Sequence, residues 1–201
     1  MRGLIAKRVF DIVFAGIGLA FLAPLFLVIA MLIKLDSPGP IFFRQQRVGR
    51  YEKLFRIHKF RTMYNGSEKT GPLVTCGEDR RITKVGRFLR KYKLDELAQL
   101  IDVIIGNMSL VGARPEVPKY VAYYPPRVKA LVLALRPGIT DIAAILHCQE
   151  CDMLANSDDP ERDYIEKILP IKLKHYQDYA YHHTLWGDIV LVFRTLKAIA
   201  C

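Results

Sequence analysis

Residues Ile12 to Ile33 read IVFAGIGLAFLAPLFLVIAMLI, 22 positions without a charge. At about 1.5 Å per residue, a helix of that length can cross the roughly 30 Å hydrocarbon layer of a bilayer. The run is too long for a secretory signal, and no clear cleavage site follows it. Two features complicate a plain span. Pro24 lies near the middle, where it removes a backbone hydrogen bond and bends a helix. Both flanks are basic, with Arg2, Lys7 and Arg8 before the run and Lys34, Arg44, Arg47 and Arg50 after it. Basic flanks tend to stay on the cytoplasmic side. A proline-broken, re-entrant helix that enters and leaves one face satisfies both features. A straight span with a tolerated proline is the alternative.

Outward from this run, residues 37–201 are enough for one further domain, so residues 1–36 are read as membrane segment and 37–201 as a cytoplasmic domain. The net charge of +10 asks for an anionic partner: phospholipid head groups, a phosphorylated substrate or nucleic acid. No recognised nucleic-acid motif is present, and the apolar run argues against that class. The fold class expected is α+β and mainly helical. Ile41–Gln46 and Leu54–Lys59 read as a short β-hairpin around a turn containing Gly49. The second strand runs into Lys59-Phe60-Arg61, and alternation puts both cations on one face, either to contact phosphate or simply to meet water. Tyr64–Gly77 reads as a long loop. Asp79 reads as the N-cap of a basic helix running to about Tyr92. Near the C-terminus a helical pattern begins at Glu161, bends at Pro170 and continues to Tyr181. Leu185–Ala200 is amphipathic and suits either a membrane interface or ordinary packing. Cys148 and Cys151 form a lone CxxC without further zinc ligands, so all four cysteines are read as ordinary thiols.

The chemistry concentrates in Lys93–Glu116, KLDELAQLIDVIIGNMSLVGARPE. Leu94, Leu97, Leu100, Ile101, Ile104 and Ile105 have helical spacing, and Gly106 ends the run. Asp95 and Glu96 therefore fall in a first turn. Acids there complement the helix dipole whatever else they do. The dense basic run upstream suggests more. The dipole and the cations favour an ionised Asp95, as a carboxylate nucleophile requires. Glu96 beside it suits Mg2+, which takes one or two carboxylates beside phosphate oxygens. Arg114, in Gly112-Ala113-Arg114-Pro115, can grip a phosphate with two nitrogens. Arg136-Pro137-Gly138-Ile139-Thr140 is a second rigid turn with an arginine.

Together these pieces resemble the small monotopic phosphoglycosyl transferases, the bacterial sugar transferases that begin lipid-linked glycan assembly. The resemblance covers nearly the whole chain and rests on the proline-broken helix, Lys59–Met63, Leu94–Leu97, Asn107–Pro115 and Arg136–Thr140 in this order. It implies a re-entrant anchor at the inner membrane with both termini cytoplasmic, and helices lying in the membrane interface. It implies that Asp95 attacks the β-phosphorus of a UDP-sugar and releases UMP, leaving a covalent phosphosugar. Undecaprenyl phosphate then accepts that group in a ping-pong reaction. Glu96 matches the Mg2+ ligand. Lys59, Arg61, Arg90 and Arg114 match basic residues near the phosphates, with Arg136 and Thr140 as further substrate contacts. Ala98, Asn107, Ala113 and Asp141–Ala144 depart from the usual pattern, while the acid pair does not. A basic membrane adaptor without activity is the competing reading of the same features.

Overall fold

The computed structural model describes residues 2–67, 79–143, 154, 157 and 159–200. All four cysteines, and residues 68–77 of the expected loop, lie outside them.

Helix α1 runs unbroken from Arg2 to Asp36 with Pro24 inside it. One face of α1 supports the rest of the chain. Asp11, Ala15, Ile29 and Ile33 are buried along it. Gly18 leaves room for Leu100, whose Cδ1 would lie 3.3 Å from an added Cβ. The half before Pro24 joins a core with Ile57, Val103, Met108 and Val111. The half after it joins a second core with Phe60, Leu89 and Ala98. The opposite face stays apolar and exposed, as Phe21 and Leu27 illustrate. A third core lies away from α1, built on Val48, Tyr120, Tyr124, Tyr164, Leu173 and Tyr176.

After α1 the chain turns at Ser37–Pro40. The hairpin follows in two ladders, β1 (Phe42–Phe43) with β4 (Lys59–Phe60) and β2 (Gln46–Val48) with β3 (Leu54–Arg56). A bond from the Ile57 amide to the Gln45 carbonyl joins the two ladders at 3.0 Å. The basic helix starts later than its sequence suggests. Helix α2 spans Lys84–Lys91, and its N-cap is Thr83, whose hydroxyl accepts from the Gly86 amide at 2.9 Å. Asp79 instead accepts from the Arg81 amide at 2.8 Å and pairs with the Arg81 side chain. The segment closes a single turn, with the Ile82 amide on the Asp79 carbonyl at 3.1 Å, and Ile82 then bridges Met63, so the helix begins only after Thr83.

A 3-10 segment, Leu94–Gln99, leads into α3, Leu100–Ile105, which Gly106 closes at φ +100°. Strand β5 (Ser109–Val111) pairs in parallel with β6 (Gly138–Thr140). The two glycine turns make this possible. A Cβ on Gly138 would lie 2.1 Å from the Gly112 nitrogen, closer than any side chain tolerates. Between these strands lie α4 (Pro118–Val121) and α5 (Pro126–Val132).

The C-terminal helices are α6 (Pro160–Asp163), α7 (Leu169–His182) and α8 (Leu185–Ala200). A π-turn at Tyr164–Ile168 precedes α7, so Pro170 sits in a first turn, where its missing N–H costs little. Helix α8 packs Leu191 and Val192 on the α1–α3 core and leaves Trp186 and Phe193 exposed. Two buried carboxylates tie α1 down. Asp188 accepts from Lys7 at 2.6 Å, and Asp11 accepts from the Ser109 hydroxyl at 2.8 Å.

Candidate active site

Lys93 adopts a left-handed conformation, φ 54° and ψ 20°, between α2 and the 3-10 segment. That turn re-aims the chain, burying Leu94 partly in the second core and placing Asp95 and Glu96 on the first 3-10 turn. The two acids have opposite surroundings. Glu96 is saturated. Lys59 donates to its Oε1 at 2.9 Å and Arg114 Nη1 donates to its Oε2 at 2.9 Å, while Arg114 Nη2 also reaches Oε1. Asp95 is buried at 8% exposure, and no described residue donates a hydrogen bond to its carboxylate.

The electrostatics follow. Burial alone would raise Glu96, but Arg114 and Lys59 outweigh it and hold the carboxyl well below the ordinary range. Glu96 in turn raises Arg114 well above its usual value. Lys59 is lowered, because burial outweighs the attraction of Glu96. Asp95 is pushed up, first by burial and further by Glu96, while Lys59, Arg90 and Arg114 pull it back. The cations around Asp95 oppose burial rather than overcome it.

Arg90 reaches the same field from α2, anchored by its Nε to the Thr62 hydroxyl at 2.9 Å. It also lines a cavity of about 310 Å3 with Arg44, Arg56, Phe42 and Tyr64. Among the described residues no carboxylate lines that cavity, so it suits an anion with an unsaturated group to stack. Arg61 borders the cavity too, but its guanidinium faces the end of α1. It donates to the Ser37 carbonyl at 2.6 Å, the Ser37 hydroxyl at 2.9 Å and the Pro38 carbonyl at 3.1 Å. Lys59 and Arg61 thus serve different partners, although alternation along a strand put them on one face.

Arg136 and Thr140 lie elsewhere. Arg136 Nε donates to the Gly106 carbonyl at 3.0 Å, beyond the far end of α3. The Thr140 hydroxyl is 2.6 Å from that of Thr195 on α8. The structure thus gathers Lys59, Arg90, Asp95, Glu96 and Arg114, and leaves Arg61, Arg136 and Thr140 on other partners. One neighbour escaped the sequence reading. Arg47, on β2, lies in the field of Glu96 and Arg114 and donates to the Pro115 carbonyl at 3.0 Å. Its place in the basic flank gave no hint, because only tertiary pairing brings β2 beside Pro115.

The model of the family described as bacterial sugar transferase matches residues 2–201. The chain belongs to the bacterial sugar transferase family. Relatives of this chain include a UDP-N-acetylgalactosamine-undecaprenyl-phosphate N-acetylgalactosaminephosphotransferase of Aeromonas hydrophila, 38% identical over 96% of this chain and 43% of that protein. A UDP-glucose:undecaprenyl-phosphate glucose-1-phosphate transferase of Caulobacter vibrioides is 37% identical over 96% of this chain and 69% of its own length. Its namesake in Escherichia coli is 36% identical over 94% of this chain and 39% of its own. The chain therefore spans less than half of two of these relatives and about two thirds of the third.

Proposed function

We propose that this chain transfers a sugar 1-phosphate from a UDP-sugar to undecaprenyl phosphate, with Asp95 as nucleophile. One observation carries the reading: of two adjacent acids, the partly buried Glu96 is neutralised by two cations, and the buried Asp95 has no hydrogen-bond donor among the described residues. An Asp95 oxygen attacks the β-phosphorus. The bond from that phosphorus to the bridging oxygen breaks, and UMP leaves with the electron pair. A phosphate oxygen of the lipid then attacks the same phosphorus and frees the carboxylate. Arg114, Lys59 and Arg90 bind the phosphate oxygens and offset the repulsion between carboxylate and diphosphate. Burial of Asp95 excludes water, which would otherwise hydrolyse the acyl phosphate.

The acid pair also fits Mg2+. Glu96, ionised and acceptor-only, offers one or two hard oxygens, as this ion takes beside phosphates. Both oxygens are engaged by cations, so the fit is to an ion that arrives with the diphosphate, when Arg114 and Lys59 gain phosphate partners. Bound there, Mg2+ would neutralise diphosphate charge and favour departure of UMP.

The place of the reaction is the cytoplasmic face of the inner membrane, with α1 as a re-entrant anchor. Support comes from the buried stripe Asp11–Ala15–Ile29–Ile33, which lies on the domain before and after Pro24. At about 1.5 Å per residue the 35-residue helix is about 52 Å long, and an upright span cannot keep both halves on one water-soluble body. Both termini then stay cytoplasmic, and the exposed apolar faces of α1 and α8 meet lipid.

The test is UMP release with a panel of UDP-sugars, Mg2+ and undecaprenyl phosphate. Asp95→Asn should lower the rate by about 1,000-fold or more. Donor alone should add the mass of a phosphosugar to the wild type and nothing to the variant. Turnover without that adduct would remove Asp95 as nucleophile.

A further inference from the structure

Arg136 belongs to a motif that the acid pair does not use. It lines a second cavity, of about 50 Å3, with Lys7, Arg8 and Arg50. Asp11 is the one carboxylate in the lining among the described residues. Its oxygens are already taken by the Ser109 hydroxyl and the Leu110 amide. Lys7 is neutralised by Asp188. Three guanidiniums therefore remain around this space without a carboxylate of their own among the described residues.

Two of them are held in a particular way. Arg50 donates through Nε to the Ala134 carbonyl at 2.8 Å, and Arg136 through Nε to the Gly106 carbonyl. The terminal nitrogens of both have no hydrogen-bond partner among the described residues. Arg8 makes only long bonds, 3.3 Å to the Ile104 carbonyl and 3.4 Å to that of Met108. Cations at the C-terminal end of α3 complement its dipole, and that accounts for one of them. It does not account for three, which repel each other. Arg136 is lowered from its usual value, first by burial and then by Arg8 and Arg50. Such an arrangement is completed by an anion with several acceptor oxygens.

The position of the cavity defines the anion further. Lys7 and Arg8 lie in the first turns of α1, a few residues before its uncharged run, and their neighbours Ile5 and Val9 are exposed. His183, also in the lining, caps the end of α7 just before α8, where Leu185 and Trp186 are exposed. Apolar side chains thus flank the cations from two helices, the pattern of a head-group layer. The space is small, a few times the roughly 10–15 Å3 that one water needs on the same measure, and suits a group of phosphate size.

We propose that this cavity binds the phosphate of a membrane lipid, apart from the acid pair, with Arg50 and Arg136 as its forks and Arg8 as the third cation. The lipid is a bulk anionic phospholipid or a polyprenyl phosphate, which share this group. The full chain in neutral detergent would be titrated with phosphatidylglycerol, with undecaprenyl phosphate and with inorganic phosphate, and bound lipid counted by native mass spectrometry. The wild type should retain one lipid, and Arg50→Gln should weaken its binding about tenfold. Arg127→Gln, a cation on α5 outside the cavity, should change nothing. Loss of both lipids in Arg50→Gln means bulk phospholipid occupies the site; loss of undecaprenyl phosphate alone means the acceptor does. Competition by inorganic phosphate would show that the head group suffices. Melting without lipid checks the fold, and Arg50→Lys, which keeps the charge but not the fork, gives an intermediate loss if Arg50→Gln is unstable. Asp95→Asn should bind lipid like the wild type, so the result does not depend on the proposed chemistry. Unchanged binding in both Arg50 variants, or an equal loss in Arg127→Gln, overturns the proposal.

Discussion

Replacing Arg61 by glutamine separates two roles for this cation. The guanidinium is 4% exposed and donates to two backbone carbonyls and one hydroxyl within 3.1 Å, with the Ile33 carbonyl at 3.4 Å. It satisfies the Ser37 and Pro38 carbonyls just beyond the end of α1, while the Ile33 carbonyl also accepts from the Ser37 amide at 3.2 Å. Gly39 makes room for it, since a Cβ there would lie 2.0 Å from Arg61 Nη1. Each hydrogen bond from a charged donor contributes about 1.5–3 kcal/mol net. Glutamine retains at most one of them, and water reaches the Pro38 carbonyl, so the loss should be about 3 kcal/mol. In a chain of this size that lowers the melting temperature by roughly 6–12 °C. The assay is thermal unfolding in detergent followed by Trp186 fluorescence, with KM for the UDP-sugar measured on the folded enzyme. The expected outcome is a large fall in melting temperature and a KM within about twofold. An unchanged melting temperature with KM raised tenfold or more would show that Arg61 grips the substrate, and the clamp would be wrong.

Other changes test other joints. Arg114→Gln breaks a largely buried ion pair and should cost about 3 kcal/mol at pH 7. Because Glu96 has a depressed folded pKa, that contribution is full above its unfolded value of about 4.3 and fades as pH falls through the folded one. The melting difference between wild type and variant should therefore hold from pH 8 to 5 and shrink only in stronger acid; a difference that vanishes near pH 6 would contradict the pairing. Gly138→Ala should separate β5 from β6, because the new methyl meets the Gly112 backbone, and should cost at least about 2 kcal/mol by chemical denaturation. Asp188→Ala leaves the half-buried Lys7 with only the longer contact to Asp11 at 3.9 Å and should cost about 3 kcal/mol; a change below about 0.5 kcal/mol would mean that α8 does not hold α1.

The sequence by itself determined the features that depend on near neighbours. An uncharged run of 22 residues makes α1, a glycine after spaced leucines and isoleucines stops α3, and adjacent acids land on one first turn. It also carried enough of the order of motifs to reveal the family. Tertiary structure decided which charges meet. Lys59 turns to Glu96 and Arg61 to Ser37, because a two-residue strand ends between them and alternation no longer fixes direction. The Met63–Ile82 bridge took the helix start from Asp79 and gave it to Thr83. Gly112 and Gly138 each signal a turn locally, and neither announces that its backbone will lie against the other. Arg136 looks in sequence like a partner of Arg114, yet the parallel pairing of β5 and β6 carries it to the Gly106 end of α3. Local propensity acts over a few residues, whereas a charge is paired by whatever the chain brings within about 4 Å of it, and only the packed cores on α1 set those approaches.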